Sequence, residues 1–345
     1  MERKLASVRK ITNLTPIEGA DKIELATIDA WKVVVAKDVN HKVDDMVIYC
    51  EIYSFLPVKE EFEFLRKSSY KKMGDQEGFR LKTIKLRGQV SQGLILPITV
   101  LNPEGTNIYV DPFEGLDVTD MLGIVKYEPP IPAELAGKIK GMFPSFLHKT
   151  DEERIQNLVS EYESYKEKNK EDVKFYVTEK LDGSSATFYI KDGMFGVCSR
   201  NLELLETEGN SFWRVARELK LEESLVSLGK NICLQGELIG ESVQGNPYKI
   251  KGQTVRFFNG FNIDTQENIP FLEFVELTQK MNLTTVPILD YDFTLPETVE
   301  NMLEYADKKS ELNSNLDREG IVVRSYDRTI SFKVISNKFL LKSEN

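Results

Sequence analysis

Lys180 stands in Glu179-Lys180-Leu181-Asp182-Gly183-Ser184-Ser185, directly after an apolar run at residues 174–178 that reads as a strand. A lysine amine is a nucleophile only when neutral, so its pKa must fall through desolvation or a nearby cation. It must also be aimed, and Gly183 gives the backbone freedom to aim it. Asp182 is a carboxylate that can hold a divalent cation through bound water. Lys-x-Asp-Gly therefore reads as an amine nucleophile beside a metal-organising acid. The same four residues also suit an ordinary hairpin turn, with Asp-Gly supplying positive φ.

Five further groups follow in order: Ser199-Arg200-Asn201, Gly236-Glu237-Leu238-Ile239-Gly240, Phe257-Phe258-Asn259-Gly260-Phe261-Asn262-Ile263, Asp317-Arg318-Glu319-Gly320, and Phe332-Lys333-Val334-Ile335-Ser336. Arg200 and Lys333 are cations, Glu237 and Glu319 carboxylates, and Phe261 an aromatic ring alongside Phe257 and Phe258, types that a chemical site could use. Each has a plainer use as well. Arg200 could be a surface arginine, Phe261 core, and Lys333 one residue of a solvated strand face. Glu237 and Glu319, each beside a glycine, could sit in turns.

The elements that must position these groups change character along the chain. Residues 31–36, 46–51, 81–86 and 93–97 read as short strands separated by turn residues, as in a small β-barrel. Pro129, Pro130 and Pro132 mark a break. Residues 150–170 read as a helix, with Thr150 and Glu153 as a capping box and Ile155, Leu158, Val159 and Tyr162 as its apolar stripe. From residue 173, strands at 186–190, 231–235, 255–258, 320–324 and 329–333 interleave with helices at 210–219, 270–281 and 297–311. The expected organisation is a barrel over 1–130, a helical linker over 131–172 and a mixed domain over 173–345, an α+β chain.

Composition narrows the chemistry. Only His41 and His148 are present, which disfavours imidazole-based metal or triad chemistry. The three cysteines form no C-x-x-C pair, which argues against a structural zinc site. Together with the absence of a secretory h-region, this points to the cytoplasm or another reducing compartment. The apolar runs are too short to span a bilayer. The net charge of −10 disfavours a nucleic-acid partner when read globally. Residues 66–87 run the other way, with Arg66, Lys67, Lys71, Lys72, Arg80, Lys82, Lys85 and Arg87 against Asp75 and Glu77. Such a stripe can grip phosphates on an acidic protein.

Taken in order, the six groups from Lys180 to Lys333 resemble motifs I, Ia, III, IIIa, IV and V of the covalent nucleotidyltransferase superfamily, which holds ATP-dependent ligases and capping enzymes. The resemblance implies that Lys180 attacks the α-phosphorus of a nucleoside triphosphate. It implies that Glu179 contacts adenine, Arg200 the sugar or terminal phosphates, Glu237 the ribose or a metal-bound water, and Phe261 the purine face, with Phe257 or Phe258 as alternative stacking rings. Glu319 would lie near the catalytic metal and Lys333 at the α-phosphate. Two positions depart from the pattern. The second lysine of a K-x-K motif V is Ile335 here, leaving its contact to another residue such as Lys338, and Asn262 stands where Asp is common. Only nine residues follow Ser336, too few for the C-terminal OB domain of DNA ligases and capping enzymes.

Gly19-Ala20-Asp21-Lys22-Ile23-Glu24 and Leu86-Arg87-Gly88-Gln89-Val90-Ser91-Gln92-Gly93-Leu94 resemble the OB-like module of tRNA-binding domains. An N-terminal OB-like β-barrel, followed by an ATP-grasp-like nucleotidyltransferase domain of antiparallel sheets with flanking helices, is similar to the Deinococcus and Naegleria type of RNA ligase. That type implies ATP, Mg²⁺ or Mn²⁺ held by Asp182, Glu237 and Glu319 mostly through water, and a lysyl-AMP. It implies RNA or an RNA-containing duplex with 5′-phosphate and 3′-OH ends, joined at a nick with RNA on the 3′-OH side by a monomer. Arg154 is a candidate for the triphosphate tail, with a helix-surface salt bridge as its plain reading. Lys82, Lys85 and Arg87 are candidates for nucleic-acid contact. The rival expectations are a ligase of single-stranded or tRNA ends, and an RNA-binding protein with an inactive core.

Overall fold

The computed structural model describes residues 4–102, 110–128 and 137–343. The proline break at residues 129–132 lies outside the described residues. The chain divides into two compact units, one of residues 1–131 with 340–345, the other of residues 132–339.

The first unit is built from short antiparallel strands. Met46–Cys50 lies between Ala6–Lys10 and Leu94–Pro97, and Asn13–Pro16, Ile23–Ile28 and Trp31–Ala36 form a meander. Alternation along Trp31–Ala36 buries Trp31, Val33 and Val35 on one face, as a half-buried strand requires. Val8, Ile48, Leu56, Phe62, Phe79 and Leu96 close the core. Thr83–Leu86 and Gln89–Gln92 form a hairpin whose turn holds Arg87 at φ 46° and Gly88 at φ 84°. Positive φ at both central residues marks the tight turn that matches strand twist.

The second unit has two antiparallel sheets. The larger runs, edge to edge, Ile139–Met142, Leu202–Leu204, Met194–Cys198, Ser184–Lys191, Ile232–Gly240, Gln253–Asn262 and Glu267–Asn268. The smaller runs Ile288–Asp290, Phe175–Lys180, Gly320–Ser325 and Ser331–Ile335. Phe188, Leu234, Val255 and Phe257 of the larger sheet share a core with Trp213, Val215, Leu225 and Phe274 from the helices Ser211–Glu218, Leu221–Val226 and Phe271–Lys280. Burying each large apolar side chain contributes about 1.5–3 kcal/mol. Asn210 caps the first of these helices by accepting from the Phe212 and Trp213 N–H groups.

Three expectations need correction. Residues 137–172 are not a helical linker, since Ile139–Met142 is an edge strand of the larger sheet. The helix expected over 150–170 is Val159–Lys170, preceded by a 3₁₀ turn at Ile155–Asn157. Long-range contacts override the capping box. Glu152 is paired with Arg324 at 2.8 Å, and the Glu153 carbonyl accepts the Lys333 N–H at 2.8 Å. Both hold the segment extended. The third helix is shorter than 297–311, running Val299–Ala306 with Thr298 as its cap.

Candidate active site

The Phe175–Lys180 strand pairs with Gly320–Ser325, which puts Lys180 opposite Gly320. The chain then turns through residues 181–183 and enters Ser184–Lys191 of the other sheet, where Ser185 lies opposite Glu237. This crossing between sheets gathers side chains far apart in sequence. The Lys180 ammonium donates to Glu319 Oε1 at 2.7 Å, with the two side chains 29% and 15% exposed.

Gly183 is required by close approach. A Cβ there would meet the Leu238 carbonyl oxygen at 2.4 Å and Glu237 Cγ at 2.9 Å. Neither Asp182 nor Gly183 has positive φ, so the ordinary hairpin-turn reading fails. Gly320 is equally confined, since a Cβ would sit 2.1 Å from the Val334 carbonyl oxygen.

The electrostatics of the centre are those of one cation among three acids. Burial pulls the Lys180 pKa down, but the charges of Glu319, Glu237 and Asp182 outweigh it and the net direction is up. The expected lowering is thus absent in this state, because the acids favour the charged amine. Burial pushes Glu237 up to about 8 and Asp182 up to about 6, with repulsion from Glu319 adding to both. Among the described residues, no three His, Cys, Asp or Glu side chains form a cage that could hold a metal directly. The donor set nevertheless suits a hydrated divalent cation, which needs few direct protein ligands.

Glu179 points away from this cluster and is fully buried. Its Oε2 accepts the Glu311 N–H at 2.8 Å, while Oε1 is buried and makes no hydrogen bond. Burial raises its pKa against the opposing pull of Ser310, the Glu311 N–H and Arg318.

Arg154 and Lys333 are brought together by a parallel bridge between their backbones. Arg154 is buried ahead of the 3₁₀ turn, so the helix-surface reading does not apply. Lys333 lies opposite Val322, which lies opposite Thr178, two residues before Lys180. Ile335 is buried in the row of Gly320 and Lys180, and Lys338 donates to the Asp307 carbonyl at 3.4 Å. Arg200 is half exposed and paired with Asp151 at 2.7 Å, yet near enough to Glu237 to pull its pKa down.

Phe261 is 1% exposed, its ring 4.7 Å from that of His148, in a cluster with Tyr189, Cys198 and Cys233. Phe258 is the ring that joins Leu181, Ile239 and Tyr248 beside Lys180. A register shift between Gln235 and Gly236 explains this. It inserts one residue, so Phe257 faces the helix-backed core and Phe258 is freed toward the Leu181 cluster. Sequence reading kept Phe258 only as an alternative. It missed Tyr248, whose hydroxyl accepts the Asp182 N–H at 2.6 Å. It also missed the Glu152–Arg324 pair, whose guanidinium lies 5.8 Å from the Phe258 ring centre. None of the three sits in one of the six groups.

In the first unit the basic stripe breaks up. Arg66 is paired with Glu63 and Lys72 with Glu77, and Arg80 lies 4.5 Å over the Tyr127 ring. Lys85 and Arg87 are exposed on the Thr83–Gln92 hairpin arm and its turn, and Lys82 is half-buried just before it.

These features give a two-unit chain with one lysine set among three acids, and comparison with known proteins identifies it further. An OB-fold domain model matches residues 5–98, and an RNA ligase model matches residues 173–342. A Naegleria gruberi RNA ligase mutant with AMP and Mn is 44% identical, over 99% of this chain and 99% of that one, with a TM-score of 0.89. The same ligase with PPi is 44% identical over 99% of each chain, with a TM-score of 0.90. A mutant of it with ATP and Mn is 43% identical over 98% of this chain and 99% of that one, with a TM-score of 0.89. No curated protein matches the chain. The chain belongs to the RNA ligase family, in the branch that carries an OB-fold domain ahead of the ligase domain.

Proposed function

We propose that the protein joins RNA 3′-OH and 5′-phosphate ends in an ATP-dependent reaction through a lysyl-AMP on Lys180. Its preferred site is a nick with RNA on the 3′-OH side. The observation that carries this reading is the Lys180 amine held 2.7 Å from Glu319 at the crossing between the two sheets, with Asp182 and Glu237 close enough to perturb its charge. The solved relatives with ATP and Mn, AMP and Mn, or PPi support it.

In the first step Lys180 Nζ bonds to the α-phosphorus of ATP, the bond to the bridging oxygen breaks, and pyrophosphate leaves. Glu319 is the nearest acceptor for the amine's proton. Lys333 offsets charge at the α-phosphate, and Arg154, whose backbone bridges to that of Lys333, contacts the triphosphate tail. Arg200 exchanges Asp151 for the sugar or terminal phosphates. Glu179 Oε1, buried and unmatched, accepts from the adenine amino group, which discriminates against a purine carbonyl. Phe258, rather than the buried Phe261, stacks on the purine. Asp182, Glu237 and Glu319 are the residues that would hold Mg²⁺ or Mn²⁺, mostly through water. When bound, that cation supplies positive charge at the phosphates and lowers the pKa of the amine.

AMP then passes to a 5′-phosphate oxygen, and attack by the 3′-OH releases it. Lys82, Lys85 and Arg87 grip the nucleic acid. A panel of 5′-phosphate substrates tests the choice: nicked duplexes with RNA or DNA on the 3′-OH side, and single strands. Fast sealing of the RNA-sided nick alone is expected. Equal or faster sealing of single strands contradicts the nick reading.

A further inference from the structure

Loop 241–252 joins the strands Ile232–Gly240 and Gln253–Asn262. It is far longer than a hairpin needs, and none of its residues belongs to a recognised motif. Ser242, Gln244, Asn246 and Lys249 all lie at positive φ, between 47° and 65°. Non-glycine residues persist there only where their surroundings over-determine them. The loop braces itself: Glu241 N–H donates to the Gly252 carbonyl at 2.7 Å, and the Asn246 side chain brackets Ile250 with bonds of 2.9 and 3.0 Å.

Two further bonds leave the loop for the turn that carries the nucleophile. Gln244 Nε2 donates to the Gly183 carbonyl at 3.3 Å, and the Tyr248 hydroxyl accepts the Asp182 N–H at 2.6 Å. Tyr248 is 4% exposed and packs with Leu181, Ile239 and Val286. Asn313 donates to the Pro247 carbonyl at 2.9 Å, which ties the loop to the segment leading into Glu319. The loop therefore holds the backbone on which both Lys180 and Asp182 are mounted.

We propose that Tyr248 is a positioning residue for lysine attack, with Gln244 as a weaker second clamp. Its hydroxyl fixes the peptide at Asp182, one residue beyond Leu181, so that Lys180 is aimed at the α-phosphorus. This rests on the ligase reading above and names the device that orients its nucleophile. Tyr248→Phe removes one oxygen and keeps the ring packing. The Asp182 N–H would then rotate toward another acceptor, since a buried donor left unmatched is costly. The Asp182 carboxylate is on a side chain free to readjust, whereas misaim of Lys180 hurts the one step in which the lysine is the nucleophile.

The test compares two rates in each protein: label transfer from α-labelled ATP to the enzyme, and sealing of a pre-adenylated strand. Tyr248→Phe should lose roughly 10- to 100-fold in label transfer at saturating ATP, with KM for ATP and sealing of the pre-adenylated strand little changed. Gln244→Ala should show the same selectivity with a smaller loss. Unchanged label transfer in Tyr248→Phe, or equal loss in both rates, overturns the proposal. If Tyr248→Phe does not fold, Gln244→Ala decides alone: selective loss supports the clamp, and no loss or equal loss refutes it. Wild-type protein that neither takes label nor seals the pre-adenylated strand sinks the ligase reading itself, a separate outcome.

Discussion

Two stretches of this chain read Lys-Leu-Xaa-Gly. One is Lys85-Leu86-Arg87-Gly88 in the first unit, the other Lys180-Leu181-Asp182-Gly183 in the second. The first is an exposed two-residue hairpin turn, with positive φ at Arg87 and Gly88 and open space where a Gly88 Cβ would go. In the second, neither Asp182 nor Gly183 has positive φ, and Gly183 is pressed against the Glu237 strand. The same local pattern thus gives a solvated basic tip in one place and a crowded corner among acids in the other. The difference lies in what packs on the glycine. Close approach at Gly183 brings Glu237 up to the lysine turn, and among the described residues nothing comparable approaches Gly88.

The largest expected contrast comes from adding one methyl group to each glycine. Gly183→Ala should lower lysine adenylylation by roughly 100-fold, because the turn must shift by about an ångström or more. Gly88→Ala should leave adenylylation intact and cost about 1–2 kcal/mol of stability, from a side chain forced to positive φ. Adenylylation rates and melting curves of the two variants check this. Similar losses in both would remove the distinction.

A second contrast is in pH. Glu237 and Asp182 are pushed up to about 8 and about 6 by burial, with repulsion from Glu319 adding to both. Cation-dependent adenylylation should therefore climb from pH 6 to above 8, as these acids lose their protons. Stability without a cation should move the opposite way. The folded Glu237 keeps its proton up to about pH 8, whereas the unfolded carboxyl loses it near 4.5. The native state then binds more protons, and stability falls as pH rises between those values. Glu237→Gln should remove that part of the decline, raising Tm relative to wild type by a few degrees, roughly 2–5 °C, at pH 8 but not at pH 4. A Tm difference independent of pH would contradict the assignment. No comparable effect is expected from the hairpin.

The smallest contrast concerns salt. Neutralising Lys82, Lys85 and Arg87 should weaken RNA binding by about tenfold at moderate ionic strength and flatten its salt dependence, with adenylylation spared. Equal loss of binding and adenylylation would make the hairpin a folding element.

The strand positions of Lys180, Glu237, Glu319 and Lys333 were legible in the sequence because each sits at the end of, or within, an apolar strand run that is itself local. What sequence could not show follows from tertiary contacts. The capping box at Thr150 and Glu153 is locally sound, but Arg324 and the Lys333 backbone claim Glu152 and Glu153. Phe258 replaces Phe261 beside Leu181 because one bulge changes which residues share a face. Tyr248 carries no motif and acts through a backbone N–H, so no pattern of side chains announces it. The direction of the Lys180 pKa depends on three acids that meet only in the fold.

The central claim is that Lys180 becomes covalently adenylylated. Purified protein and Lys180→Ala would be incubated with α-labelled ATP, GTP or NAD⁺ and a divalent metal, then run on a denaturing gel. The account predicts label on the wild-type chain from ATP alone and none on Lys180→Ala, which still seals a pre-adenylated strand. Label that persists on Lys180→Ala would contradict it, as would none on folded wild-type protein shown to be free of bound AMP.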